Sequence, residues 1–170
     1  MTLTPQQRAS LKTDIIANAQ PGQPLALLYA ANDFDGIADW YSSLASPPFI
    51  VWRTSVSQDE IMQNGFDWTR VDNLSVGKAR VWEWMFDNEA HAFNPSRGNV
   101  RAGIDAVWVG TQADLAVRAA IYVHCKRPAT RAEKLFATGT GSDISPAVLS
   151  YEETVDGAFT GADLYALLQE

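Results

Sequence analysis

Helix-start chemistry recurs along this chain and limits it to a succession of short, separately capped helices. In a capping box a Ser or Thr side chain accepts from the amide three residues on, while the side chain there reaches back. Thr4-Pro5-Gln6-Gln7 fits, with Pro5 at the favoured first helical position. Leu11 and Ile15 follow one turn apart, so a helix is expected over about 5–18. Ser57 with Glu60 opens a short helix that Gly65 ends, Thr111 with Asp114 opens 112–126, and Thr130 with Glu133 opens one to Ala137. Thr160 to Asp163 caps a final helix carrying Leu164, Leu167 and Leu168.

Weaker signals complete the series. Leu25 to Ala31 reads as a helical turn or two, and Asn32, Asp33 and Asp35 offer caps for a helix over about 35–44. Asn94-Pro95 is expected to start a helix with Pro95 at its first position and Val100, Ile104, Val107 and Trp108 as its apolar stripe. Prolines at 21, 24, 47, 48 and 128, with Gly110, punctuate the run. Phe49–Thr54, aromatic and β-branched, is the best strand, and Val148–Thr154 is a second that pairs with it as a small ribbon. The expected fold is mainly α: a single helical domain over 1–170 with at most a two-stranded ribbon, about 49–54 with 148–154.

Asp67–Phe86, DWTRVDNLSVGKARVWEWMF, holds three of the six Trp. Asn73 or Ser75 caps a helix running to about Asn88. Leu74, Val81 and Met85 recur at helical spacing, Trp82 and Phe86 fill an adjoining face, and Trp84 falls on a third. A surface helix needs an apolar stripe of only about 100°. This one is wider, so it is a central core helix or one that also meets another chain.

A chain of 170 residues is long enough to bury a real core. It has no apolar run long enough for a membrane span and no basic-then-apolar leader, so neither a span nor a signal peptide is expected. The single cysteine, Cys125, excludes an intrachain disulfide and suits a reducing compartment. A net charge of −7 argues against direct nucleic-acid binding.

Several constellations invite chemistry and fail on spacing. Gly139-Thr140-Gly141-Ser142-Asp143 has the glycines of a phosphate loop but follows a helix and lacks the Lys-Ser or Lys-Thr. It reads instead as a helix C-cap and a mobile or partner-contacting loop. His124-Cys125 are adjacent, so on a helix they diverge by about 100° and do not form a nucleophile–base pair. Asp33-Phe34-Asp35-Gly36 echoes a calcium loop, yet the twelfth position, which must be Glu, is Leu44. Arg118, Lys126, Arg127, Arg131 and Lys134 read as solvated helix ends. No catalytic, cofactor-binding or metal residue is expected.

Three segments, VGKARVWEW (Val76–Trp84), NVRAGI (Asn99–Ile104) and RAEKLFATGTG (Arg131–Gly141), give the chain a resemblance over about residues 3–168. It resembles a family of small virion structural proteins of tailed bacteriophages and prophages. The resemblance implies a non-enzymatic structural or morphogenesis role, as an oligomeric adaptor of the head–tail connector or tail region. Its partners would be itself and virion proteins such as portal or tail subunits. Its location would be the virion, and the host cytoplasm during assembly. The alternative is a soluble phage effector that binds and inhibits a host protein. For contacts, the loop Thr138–Ser145 (Thr138, Gly139, Thr140, Gly141, Ser142 and Asp143 foremost) and the exposed members of Trp40, Trp52, Trp68 and Trp108 are expected to serve.

Overall fold

Short helices follow one another along the chain in the order their caps dictate, with strands of two and three described residues between them. The computed structural model describes residues 3–63, 66–149 and 161–169. They fall into two units, Met1–Val51 with Pro128–Glu170, and Trp52–Arg127, and each is described by itself. β1 (Ile50–Trp52) and β4 (Lys126–Pro128) carry the chain from one unit to the other. The fold is mainly α, as expected.

The first unit is built from α1 (Pro5–Asn18), α2 (Ala26–Ala30), α3 (Phe34–Ser42), α8 (Arg131–Phe136) and α9 (Gly161–Gln169). The box at its start is complete: Gln7 N donates to Thr4 Oγ1 at 3.3 Å and Thr4 N donates to Gln7 Oε1 at 2.9 Å. Satisfying these otherwise unpaired amides lets α1 begin at Pro5 and bury Leu11 and Ile15 completely. Asp33 serves α3 as its cap, accepting from Gly36 N at 2.9 Å, which gives the apparent calcium-loop residue a structural task. Leu11, Ile15, Ile37, Tyr41, Phe136 and Leu164 form one core cluster. Tyr41, 1% exposed, donates its hydroxyl proton to Asp14 Oδ2 at 2.5 Å, so α3 is tied to α1 by a hydrogen bond to a charged group.

The expected ribbon pairs differently. β6 (Val148–Leu149) pairs antiparallel with β5 (Ala137–Thr138), Leu149 opposite Ala137. Val51 makes one parallel bridge, to Ala147, and packs with Ala147 and Leu149 in a small buried cluster. Strands this short carry too little pattern to set their own register, so the turn following α8 selects the partner. Residues 150–154 of the expected strand, Gly65 and the cap residue Thr160 lie outside the described residues.

The second unit comprises β2 (Val56–Ser57), α4 (Gln58–Gln63), a 3-10 turn (Trp68–Asn73), α5 (Val76–Trp84), β3 (Ala92–Phe93), α6 (Gly98–Val107) and α7 (Gln112–His124). β2 pairs antiparallel with β3, Val56 opposite Phe93. Its core is aromatic. Trp82 stacks on Phe66 at 5.8 Å and meets Phe86 and Trp108 edge-on at 5.1 and 5.5 Å, the offset geometries that ring quadrupoles favour.

Two expected boundaries move. α5 ends at Trp84 rather than near Asn88, because the next amides bond three residues back and Asn88 then organises a turn into β3. The Asn88 side chain donates to Ala92 O at 2.8 Å and accepts from the amides of Ala90 and Ala92. α6 starts at Gly98, not Pro95. Asn94 Oδ1 is spent on a local turn, accepting from Ser96 N at 3.0 Å, and the Arg101 guanidinium takes the carbonyls of Pro95 and Ser96 at 2.6 and 2.7 Å.

α7 opens on the expected box, to which the structure adds an ion pair. Asp114 Oδ2 accepts from Thr111 N at 3.1 Å, while Oδ1 accepts from Arg70 Nη2 at 2.8 Å. The Arg70 bond, then the Thr111 hydroxyl, holds the Asp114 carboxyl down at about 2. A depressed carboxylate contributes stability that is whole above the unfolded pKa of about 3.9 and is lost as pH falls through the folded value. The expected result is that wild type exceeds Asp114→Asn in urea midpoint at neutral pH and loses that advantage progressively from about pH 4 to about pH 2. A difference independent of pH would assign the effect to the cap geometry instead.

Candidate interaction surfaces

α5 turns one aromatic inward and another outward. Trp82 is 6% exposed, whereas Trp84, two residues on, is 67% exposed, with Val76 and Val81 uncovered on the same side of the helix. Two residues along a helix are separated by about 200° of rotation, so a helix with indoles at both positions cannot bury both against one core. The breadth of its apolar surface is thereby explained: α5 is a peripheral helix with an uncovered apolar face, not a central one.

Beside that face runs a groove of about 510 Å³ between α5 and α6. Val81, Trp84, Met85, Phe93 and Val100 supply its apolar lining, and Arg97 is the one charged residue among those that line it. Gly103 keeps the floor low. A Cβ there would stand 2.5 Å from Met85 Cε. Asn88, Asn94, Arg97 and Asn99 supply the polar part of its lining.

In the first unit the loop after β5 forms a tight finger. Ser142 N donates to Ser145 O and Ser145 N donates to Ser142 O, both at 3.2 Å, so Asp143 and Ile144 occupy the tip of a two-residue turn. Thr140 Oγ1 donates to Ser145 O at 2.9 Å, and Ile50 N donates to Gly141 O at 2.7 Å. Gly141 has φ +66°, and a Cβ there would run into the Phe49 ring, so only glycine closes the base of the finger. Thr138, Gly139, Thr140, Ser142 and Asp143 are exposed, Gly141 is buried, and Ile144 at the tip is 94% exposed.

The four candidate tryptophans part company. Trp40 is half-buried beneath Arg131, whose guanidinium carbon sits 4.6 Å from the ring centroid. Trp52 is half-buried beneath Arg101 at 4.8 Å and against Tyr122. Trp68 is 41% exposed, resting on Phe66. Trp108 is 0% exposed in the core of its unit and so is not among the exposed members. Trp84 is the residue that the expected contacts left out, whereas Ile144 falls within the expected loop 138–145 without being singled out there. The signal for Trp84 was present, since it falls on a third face of α5 once Trp82 and Met85 have taken the others.

Chemistry at the sulfur is unfavourable. Cys125 caps the C-terminus of α7 with no exposed surface, and burial pushes its thiol up to about 12. Among the described residues no group of three His, Cys, Asp or Glu could hold a metal ion, and no helix is long and apolar enough to cross a membrane. No protein-family model, curated protein or solved structure matches the chain.

Proposed function

We propose that this chain is a non-enzymatic structural or morphogenesis subunit of a tailed-phage particle, an oligomeric adaptor of the head–tail connector or tail region. The resemblance carried by Val76–Trp84, Asn99–Ile104 and Arg131–Gly141 supplies the context. The observation that carries the reading is the outward indole of Trp84, on an ordered helix, beside an apolar groove. A buried Trp is among the commonest anchors of protein interfaces, and truncating one costs about 2 kcal/mol or more of binding. An assembly subunit has a use for such a surface, because its neighbours cover it in the particle.

Mass spectrometry of particles made by the phage or prophage that encodes the chain tests this reading. The expected result is that the wild-type chain is present at a fixed copy number and that Trp84→Ala is depleted from particles while folding normally. Absence of the wild-type chain from particles, with capture of a host protein instead, would move the reading to a soluble effector that inhibits that protein.

A further inference from the structure

The first unit holds a pocket of about 480 Å³ lined from α1, α3 and α8. Its wall carries charges of both signs: Asp14 from α1, and Arg131 and Lys134 from α8. They do not neutralise one another, for among the described residues no ion pair joins Asp14 to either cation. We propose that this pocket binds a small zwitterion of the amino-acid or dipeptide class, its carboxylate on Lys134 and its ammonium on Asp14. The site stands whether or not the chain is an adaptor.

The bonds these side chains make within the chain sort their roles. Asp14 uses one oxygen, Oδ2, to accept from the Tyr41 hydroxyl at 2.5 Å and from Asn18 Nδ2 at 3.1 Å. Those two bonds fix the carboxylate, and Oδ1 has no hydrogen-bond partner among the described residues. Arg131 is committed elsewhere. Its Nη1 donates to Trp40 O at 3.2 Å and to the Ser43 hydroxyl, and its guanidinium covers the Trp40 ring. It shapes the wall. Lys134 is the cation left over: its ammonium makes no hydrogen bond or ion pair among the described residues. It stands 5.8 Å from the Phe49 ring centroid, near the outer limit of a cation–π contact, so turning to a carboxylate gives up little.

Two unlike charges on separate helices in one cavity match a molecule that carries both. A simple anion that met Lys134 would be repelled by Asp14, and a simple cation on Asp14 would be repelled by Lys134. A zwitterion makes a charge-assisted hydrogen bond at each end. Pro24, Trp40 and Leu135 also line the pocket and suit an apolar side chain on the ligand. The volume falls in the range of about 300–1,000 Å³ usual for small-molecule sites.

The probes are leucine and leucylleucine, titrated into the isotope-labelled full chain and followed by the indole N–H resonances. Both should shift the Trp40 resonance saturably, with Kd about millimolar for so few atoms, and leave that of Trp84 in place. Leucine amide lacks the carboxylate and N-acetylleucine lacks the ammonium, so each should bind about fivefold more weakly than leucine. Lys134→Met should then bind leucine and leucine amide alike, and Asp14→Asn should bind leucine and N-acetylleucine alike. Methionine keeps the length of the lysine stem and asparagine keeps an acceptor for Tyr41, so circular dichroism of both variants should match wild type. No saturable shift at Trp40 with either zwitterion would overturn the proposal. So would capped ligands that bind wild type as tightly as leucine, or variants that weaken all ligands equally, which would assign the effect to the fold. None of these results bears on whether the chain is present in particles, which tests the adaptor reading separately.

Discussion

Replacing Trp82 with alanine is expected to destabilise the second unit by about 3–5 kcal/mol, the range for truncating a large buried aromatic. The indole is 6% exposed and touches four other rings, Phe66, Phe86, Phe93 and Trp108. Part of the loss is apolar surface returned to water, and part is the void that the surrounding rings fill only incompletely. Trp84→Ala is the matched control, with the same residue type, the same helix and the same change in volume. Its ring is 67% exposed, so its stability cost should stay within about 0.5 kcal/mol, the usual range for surface sites. Urea denaturation followed by far-ultraviolet circular dichroism measures both. Similar midpoints for the two variants would show that Trp82 is not the centre of that core.

Local chemistry was the most legible part of the sequence. Thr4 with Gln7, Thr111 with Asp114, and Thr130 with Glu133 begin their helices where the pattern places them, because a capping box is completed within four residues. Helix ends that depend on a competing side chain were less legible. Asn88 ends the α5 region by bonding to residues of β3, and Asn94 delays α6 by bonding to Ser96. Nothing in the apolar periodicity records either choice. The ribbon was harder still, since strands of two residues take their partner from tertiary placement. The surfaces follow the same division. A count of tryptophans names Trp108 and Trp84 equally, and only packing separates the fully buried one from the one left in water.

The last helix depends on packing, and Leu164→Ala is the substitution that measures it. α9 has nine residues, too short to be stable in isolation. What holds it is the inward row Gly161, Leu164 and Leu167 packed on α3. Gly161 permits the approach: a Cβ there would fall 2.9 Å from the backbone nitrogen of Asp35. Leu164 is 0% exposed in the cluster with Ile37 and Tyr41, so its truncation is expected to cost about 2–5 kcal/mol. Leu164→Met, which nearly conserves volume, should cost less than about 1.5 kcal/mol. Tyr165, half-exposed and meeting Phe34 only by its edge at 5.3 Å, supplies the comparison. Urea midpoints would rank the three, and native-state hydrogen exchange would place the effect. If α9 is held by this row, its amides lose protection first in Leu164→Ala, with those of α3 following. A Leu164→Ala cost no larger than that of Tyr165→Ala would mean that α9 contributes little to the core of its unit.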